Sequence, residues 1–76
     1  MSKRFPALNH KQITRVAKNL GFRFERMAKG SHEIWWRDVD KRYTTIPNHG
    51  GRVIKRRTLK AIIEDLGITL KDLNKK

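Results

Sequence analysis

The chain has 76 residues, which is enough for a single small domain with a modest core. It has no cysteine, which excludes disulfides and thiolate metal sites, and no apolar run approaches the roughly 18 residues that span a bilayer. Nineteen Lys and Arg stand against seven Asp and Glu, giving a net charge of +12. Such a charge predicts a polyanionic partner, nucleic acid first and a membrane surface second, with a merely solvated surface as the plainer alternative.

The first predicted element is a helix over residues 10–20, preceded by a loose basic arm over residues 1–8. No apolar segment follows the charged first residues, so we expect no secretory signal and a cytoplasmic protein. Asn9 and Gln12 have the spacing of a capping box, and Gly21 stands where a left-handed C-cap would end the helix. One apolar stripe at helical spacing comprises Ile13, Val16, Ala17 and Leu20.

Three strands are predicted next, over residues 22–28, 32–38 and 43–46, with Pro47 ending the third. The connections between them have hairpin length, which predicts an antiparallel sheet. Trp35 and Trp36 are adjacent, so their side chains point to opposite faces, and which of them is buried stays open.

A second helix carries another stripe, and Gly67 stops it. We expect Thr58 or a neighbour of it to cap its start, and the Thr69–Asp72 spacing predicts a short third helix over about 70–75, ending in a basic tail at 74–76. The stripe comprises Leu59, Ile62, Ile63 and Leu66. The element order predicts a single α+β domain over residues 1–76, in which two helices cover one face of a three-stranded antiparallel sheet.

His32 follows a Gly-Ser turn at the start of the second strand. Imidazole titrates near neutral pH, so it could take the proton of a ribose 2′-hydroxyl or protonate a leaving 5′-oxygen. Gly30 would let the backbone approach a phosphate, and the Ser31 hydroxyl and turn amides could donate to it. From these residues alone, a hairpin with an exposed histidine remains the plainer reading. His32 is in phase with Ile34 and Trp36 on the strand. If that phase holds through the turn, we expect His32 to begin on the helix-covered face, where only its place at the strand's end keeps it accessible, whereas a twist or bulge after Ser31 would change its face.

Other side chains could also bind RNA or take part in its cleavage. His49, in the glycine-bearing loop after the third strand, is a second candidate acid or base, whereas His10 is expected on the surface of the first helix. The histidines lack the spacing of a zinc site, so no metal ligands are predicted. The basic residues in or beside the hairpins and the loop are Lys29, Arg37, Lys41, Arg42, Arg52, Lys55, Arg56 and Arg57.

In this order and spacing the chain resembles the HicA-type mRNA interferases, the toxins of HicA–HicB toxin–antitoxin pairs, over about residues 7–73. The motifs that carry the resemblance are Gly21-Phe22, Lys29-Gly30-Ser31-His32, Ile46-Pro47-x-His49, Thr58-Leu59 with Ile62, and Gly67-Ile68.

The resemblance implies a fold similar to a double-stranded-RNA-binding domain. It also implies metal-independent cleavage of mRNA with no cofactor, which blocks translation and arrests growth, and a HicB-type antitoxin that covers the active site. The family's catalytic histidine falls on His32, and Lys29, Gly30 and Ser31 would position the phosphate; a weaker expectation of RNA contact covers Arg52, Lys55, Arg56, Arg57 and His49. The alternatives are a non-catalytic RNA-binding module of the same fold and a domain that only binds an antitoxin.

Overall fold

The structure, a computed structural model, describes residues 6–74, of which Asn74 is described by its backbone alone. Its elements in chain order are α1 (His10–Asn19), β1 (Arg23–Met27), β2 (His32–Arg37), β3 (Arg42–Pro47), α2 (Arg56–Leu66) and α3 (Leu70–Asn74). This order confirms the predicted α+β fold, similar to a double-stranded-RNA-binding domain. None of the helices in the described part of the chain is long and apolar enough to cross a membrane.

The sheet is antiparallel, with β2 between β1 and β3. The register of β2 and β3 is unbroken from His32 opposite Pro47 to Arg37 opposite Arg42. The pairing of β1 with β2 is interrupted by a bulge between Phe24 and Arg26. All five residues of β1 are exposed, so this strand extends the sheet beyond the cover of the helices.

One face of the sheet packs under the helices. Trp35 is 4% exposed, and it lies opposite Thr44, while Glu33 lies opposite Ile46 on the same face. The apolar core that these strands share with the helices comprises Ile13, Ala17, Phe22, Trp35, Ile46, Ile54, Leu59, Ile62, Ile63 and Leu66. Both predicted helical stripes therefore point inward, with Val16 and Leu20 partly buried at the edge of the core.

The other face of the sheet is open, and it carries His32, Ile34 and Trp36 of β2. The alternation along β2 therefore holds as predicted, but the face expected for His32 was wrong. The helices cover the side of Glu33 and Trp35, and it is Trp35 rather than Trp36 that lies in the core beneath them.

The ends of α1 and α3 confirm the capping predictions. Asn9 and Gln12 exchange side-chain and backbone hydrogen bonds of 3.0 and 2.9 Å, and Gly21 follows the helix at φ 93°. At α3, the Asp72 carboxylate accepts from the Thr69 N–H at 2.9 Å. The spacing of these polar residues was therefore sufficient to locate both helix starts.

The predicted Thr58 cap of α2 was wrong. The helix begins at Arg56, two residues earlier, and its N-cap Lys55 makes no side-chain capping bond. Leu8, the last residue of the predicted arm, is partly buried against the core, and its carbonyl accepts from the Ile54 N–H at 2.8 Å. The arm therefore ends before Leu8, while residues 1–5 and 75–76 lie outside the described residues.

Candidate active site

The turn that precedes β2 is closed by backbone hydrogen bonds. The His32 N–H donates to the Lys29 carbonyl at 3.2 Å, and the Ala28 N–H donates to the His32 carbonyl at 2.7 Å. Gly30 has φ 62°, a conformation that side-chain-bearing residues adopt at a cost. A Cβ there would meet no atom within 4 Å, so glycine is needed for the backbone angle and not for space. The turn delivers His32 to the first position of the strand.

The His32 side chain is exposed and lines a groove between the open edge of β3 and α2. The groove has a volume of about 370 Å³, at the low end of the range for small-molecule sites. The other described residues that line it are Thr45 and Pro47 of β3, and Arg57, Thr58, Ala61, Ile62 and Asp65 of α2. One residue with an imidazole and one with a guanidinium therefore line the same groove. Phosphodiester cleavage can use the first for proton transfer and the second for binding phosphate oxygens.

The sequence-predicted phosphate residues Lys29 and Gly30 are exposed in the turn beside His32. Ser31 is half buried, and its carbonyl accepts from the Asn48 N–H at 2.9 Å. This bond brings the loop after β3 against the Gly-Ser turn. The exposed His49 therefore follows directly after the residue that holds the turn.

The basic residues of the loop and helix divide in two. Arg57 lines the His32 groove, whereas Arg52, Lys55 and Arg56 are not among the described residues that line it. Arg52 precedes Val53, which forms a bridge with Asn9 beside the start of α1. Arg57 is thus the member of the predicted set that the fold brings to the histidine.

Two other arginines near the hairpins are engaged in the fold. The Arg37 guanidinium donates to Asp40 and to the Leu20 carbonyl and lies 4.6 Å from the centre of the Phe22 ring. Arg42 donates to the Asp65 carbonyl at 2.9 Å, near the end of α2. Their charges add to the field of the domain, but their hydrogen bonds serve the packing of the helices on the sheet.

Behind His32, on the helix-covered face, Glu33 is the centre of a hydrogen-bond network. The residue is 8% exposed, and its carboxylate accepts from His10 Nε2 at 2.7 Å, from Trp35 Nε1 at 2.9 Å and from Asn48 Nδ2 at 3.0 Å. The network ties α1, β2 and the loop after β3 together directly behind the turn. His10, expected on the surface, is instead partly buried and must carry its proton on Nε2 to donate here.

The ionisation of Glu33 follows from these contacts. Burial alone would raise the pKa of its carboxyl, but the hydrogen bonds from His10, Trp35 and Asn48 outweigh burial and lower the pKa below its ordinary value. Glu33 is therefore a carboxylate at neutral pH, and it stabilises the fold through the three donors rather than serving as a proton donor itself.

Sequence reasoning missed Glu33 and Asn48. The available signal for Glu33 was its phase: it alternates with Trp35 onto the face that became the core, where a carboxylate needs donors. Asn48 lies within the Ile46–His49 motif but was not singled out. Within the described residues there is no group of three or more His, Cys, Asp or Glu side chains that could hold a metal ion.

The fold and the groove define a class of protein: a small basic α+β domain, similar to a double-stranded-RNA-binding domain, with an exposed histidine and an arginine in one surface groove. The family model described as "HicA toxin of bacterial toxin-antitoxin" matches residues 10–68. Because that match covers more than half of the chain, the chain belongs to the HicA toxin family. A comparison with curated proteins found no match.

Proposed function

We propose that this toxin is an endoribonuclease that cleaves mRNA, blocks translation and arrests growth, with His32 as its catalytic residue. The observation that carries the proposal is the groove that the exposed residues His32 and Arg57 both line. An RNA-binding surface needs cations, but it does not need an imidazole at the first residue of a strand. An enzyme that transfers protons during phosphodiester cleavage needs a group such as an imidazole.

In the proposed reaction, the 2′-oxygen of one ribose attacks the adjacent phosphorus. The new bond joins phosphorus to the 2′-oxygen, the bond to the 5′-oxygen breaks, and the 2′-hydroxyl proton is removed as the 5′-oxygen gains one. His32 takes part in one of these two proton transfers. Arg57 donates to the non-bridging oxygens as their charge grows, and Lys29 and the turn around Gly30 hold the phosphate. His49 is the candidate for the second transfer, because the backbone bond from Asn48 to Ser31 holds its loop against the turn before His32.

The family pairs such a toxin with an antitoxin, and we propose a HicB-type protein with an acidic surface that covers the His32 groove. A net charge of +12 favours rapid capture by such a partner, because complementary fields accelerate association. We expect the cleavage itself to need no metal ion and therefore to continue in the presence of EDTA.

The test is inducible expression of the wild type and of His32→Ala, together with cleavage of purified RNA by both proteins. His32→Ala should remove growth arrest and cleavage while its circular dichroism spectrum stays that of the wild type, because the side chain is exposed. Val39→Ala is the matched control, since Val39 is 85% exposed in the turn between β2 and β3. Cleavage by His32→Ala at the wild-type rate would disprove the mechanism.

The same experiment separates the alternatives. A wild type that binds RNA in a salt-dependent way without yielding products would be a binding module. A wild type that ignores RNA but binds the product of a neighbouring gene would be an interaction domain. His49→Ala, measured alongside, shows whether the second proton transfer depends on that imidazole.

A further inference from the structure

The open face of the sheet carries a patch of aromatic, apolar and basic side chains that extends beyond the groove at His32. Trp36 and Tyr43 lie directly opposite each other on β2 and β3, and Tyr43 is 58% exposed. Beside them, Ile34 of β2 lies opposite Thr45 and is flanked by Arg26 of β1. A surface depression on this face is lined by Glu25, Arg26, Ile34, Trp36, Tyr43 and Thr45, which we call the sheet-face patch.

The Trp36 ring is held in place before any ligand arrives. Its Nε1–H donates to Asp38 Oδ1 at 3.0 Å, and Arg23 holds the two Asp38 oxygens with two hydrogen bonds of 3.1 Å each. Arg23 also forms an ion pair with Glu25 at 2.6 Å, so the negative charge of Glu25, the acidic residue of the patch, is paired with a cation. A ring fixed in this way loses little conformational freedom when it stacks on a ligand.

The patch is continuous with the candidate active site. Thr45 lines both the sheet-face patch and the His32 groove. His32, Ile34 and Trp36 lie on the same face of β2, and at a rise of about 3.3 Å per residue His32 and Trp36 are about 13 Å apart. That distance corresponds to about four nucleotides at the roughly 3.4 Å spacing of a stacked strand. One ligand strand could therefore occupy both sites.

We infer that the sheet-face patch binds the single-stranded segment of RNA beside the cleaved phosphodiester, with bases stacked on Trp36 and Tyr43. This inference rests on the proposed function and assigns its substrate class: single-stranded rather than duplex RNA. A duplex hides the faces of its bases, whereas an unpaired strand offers them to aromatic rings. Arg26, together with the strongly positive charge of the chain, complements the phosphates of such a strand and favours RNA over an apolar protein surface.

The test measures RNA affinity in a His32→Ala background, in which the proposed mechanism expects no turnover. The probe is a short oligoadenylate, added as a single strand or annealed to oligouridylate, and the protein is the full chain. Tyr43→Leu removes the ring but keeps an apolar strand residue, and it should weaken single-strand binding roughly 5- to 150-fold. Tyr43→Phe keeps the ring and should bind within about twofold of its parent.

Two further variants make the test specific. Trp36→Leu should weaken binding to a similar degree. If Trp36→Leu folds poorly, the comparison of Tyr43→Leu with Tyr43→Phe is sufficient to test the inference. Phe24→Leu is the matched control, because Phe24 is an exposed aromatic residue of β1 whose side chain meets Trp35 on the other face of the sheet. It should leave RNA affinity unchanged.

Unchanged affinity in Tyr43→Leu would overturn the inference, as would equal or tighter binding of the annealed duplex. If Tyr43→Leu weakened binding of the antitoxin and not of RNA, the patch would be a protein-docking surface and the inference would be wrong. These outcomes are distinct from failure of the proposed function, which is read from cleavage by proteins with and without His32. Single-strand binding that depends on Tyr43 would support the inference even if no product formed.

Discussion

His32 and Glu33 are neighbours in β2, yet their side chains lie on opposite faces of the sheet and have opposite surroundings. The His32 imidazole lines an open groove with Arg57, whereas the Glu33 carboxylate is buried among three hydrogen-bond donors. The strand therefore places the exposed His32 imidazole on one face and, on the other, the hydrogen-bond network of Glu33 that anchors the start of β2. The position of His32 therefore depends on side chains that lie on the opposite face of the sheet from its imidazole.

Loss of the Asn48 side chain should loosen this anchor. Asn48→Ala removes the donor to Glu33 Oε2 but keeps the backbone bond to the Ser31 carbonyl. Leaving a buried carboxylate oxygen without its donor should lower the free energy of unfolding by about 1–3 kcal/mol, measured as a shift of the urea midpoint. Asn19→Ala, at the exposed end of α1, is the control and should cause little change. Equal midpoints for both variants would contradict the role of Asn48.

The pH dependence of stability should report Glu33. Because its native pKa lies below the ordinary value of 4.5, the unfolded chain binds this proton more readily. The carboxylate's contribution is present above that value and is lost as the pH falls through the native pKa. The difference in unfolding free energy between the wild type and Glu33→Gln should therefore shrink in acid.

The surface carboxyls Asp38 and Asp40 also have lowered pKa values, through hydrogen bonds with Arg23 and Arg37. The wild type and Glu33→Gln both retain these two carboxyls, so their contributions to the pH dependence of stability cancel when the two proteins are compared. A difference between the wild type and Glu33→Gln that stays constant from neutral pH into acid would show that Glu33 does not contribute as a carboxylate.

Gly30→Ala should destabilise the turn that presents His32. The cost is about 1–2 kcal/mol, because alanine resists a φ of 62° while no neighbour crowds its Cβ. Cleavage should also fall, since the turn sets the direction of the imidazole. Gly51→Ala is a matched control: a Cβ there also meets open space, and Gly51 is not among the glycines with positive φ. If the two variants were equally stable, backbone strain would not explain Gly30.

Arg57→Ala should lower both cleavage and the salt dependence of RNA binding. Removing one phosphate contact on a single strand should reduce the slope of log affinity against log salt by about 0.7. Lys60→Ala removes an exposed cation from the same helix, outside the described lining of the groove, and should leave cleavage nearly unchanged. Equal loss of cleavage in Arg57→Ala and Lys60→Ala would show that Arg57 contributes only to the overall positive charge and not to a specific phosphate contact.

Much of the fold was predictable because its signals are local. The Asn9–Gln12 capping box, the stop at Gly67 and the hairpin turn before His32 each depend on residues within a few positions of one another. The start of α2 was missed because it has no such local signal. The N-cap residue Lys55 makes no side-chain capping bond, whereas Thr58 is of a residue type that commonly caps helices. The His10–Glu33 contact joins residues 23 positions apart, and no local pattern predicts such a pair.

The sequence by itself determined the element order, the alternation along β2 and, through its motifs, the family and His32 as the candidate catalytic residue. These follow from short-range sterics, from hydrophobic periodicity and from the spacing of polar residues. The tertiary structure decided which side of β2 faces the helices, because that depends on whether Trp35 or Trp36 fits the space beneath α1 and α2. That choice exposed His32, buried Glu33, selected Arg57 among the basic residues and left Trp36 beside Tyr43 on the open face.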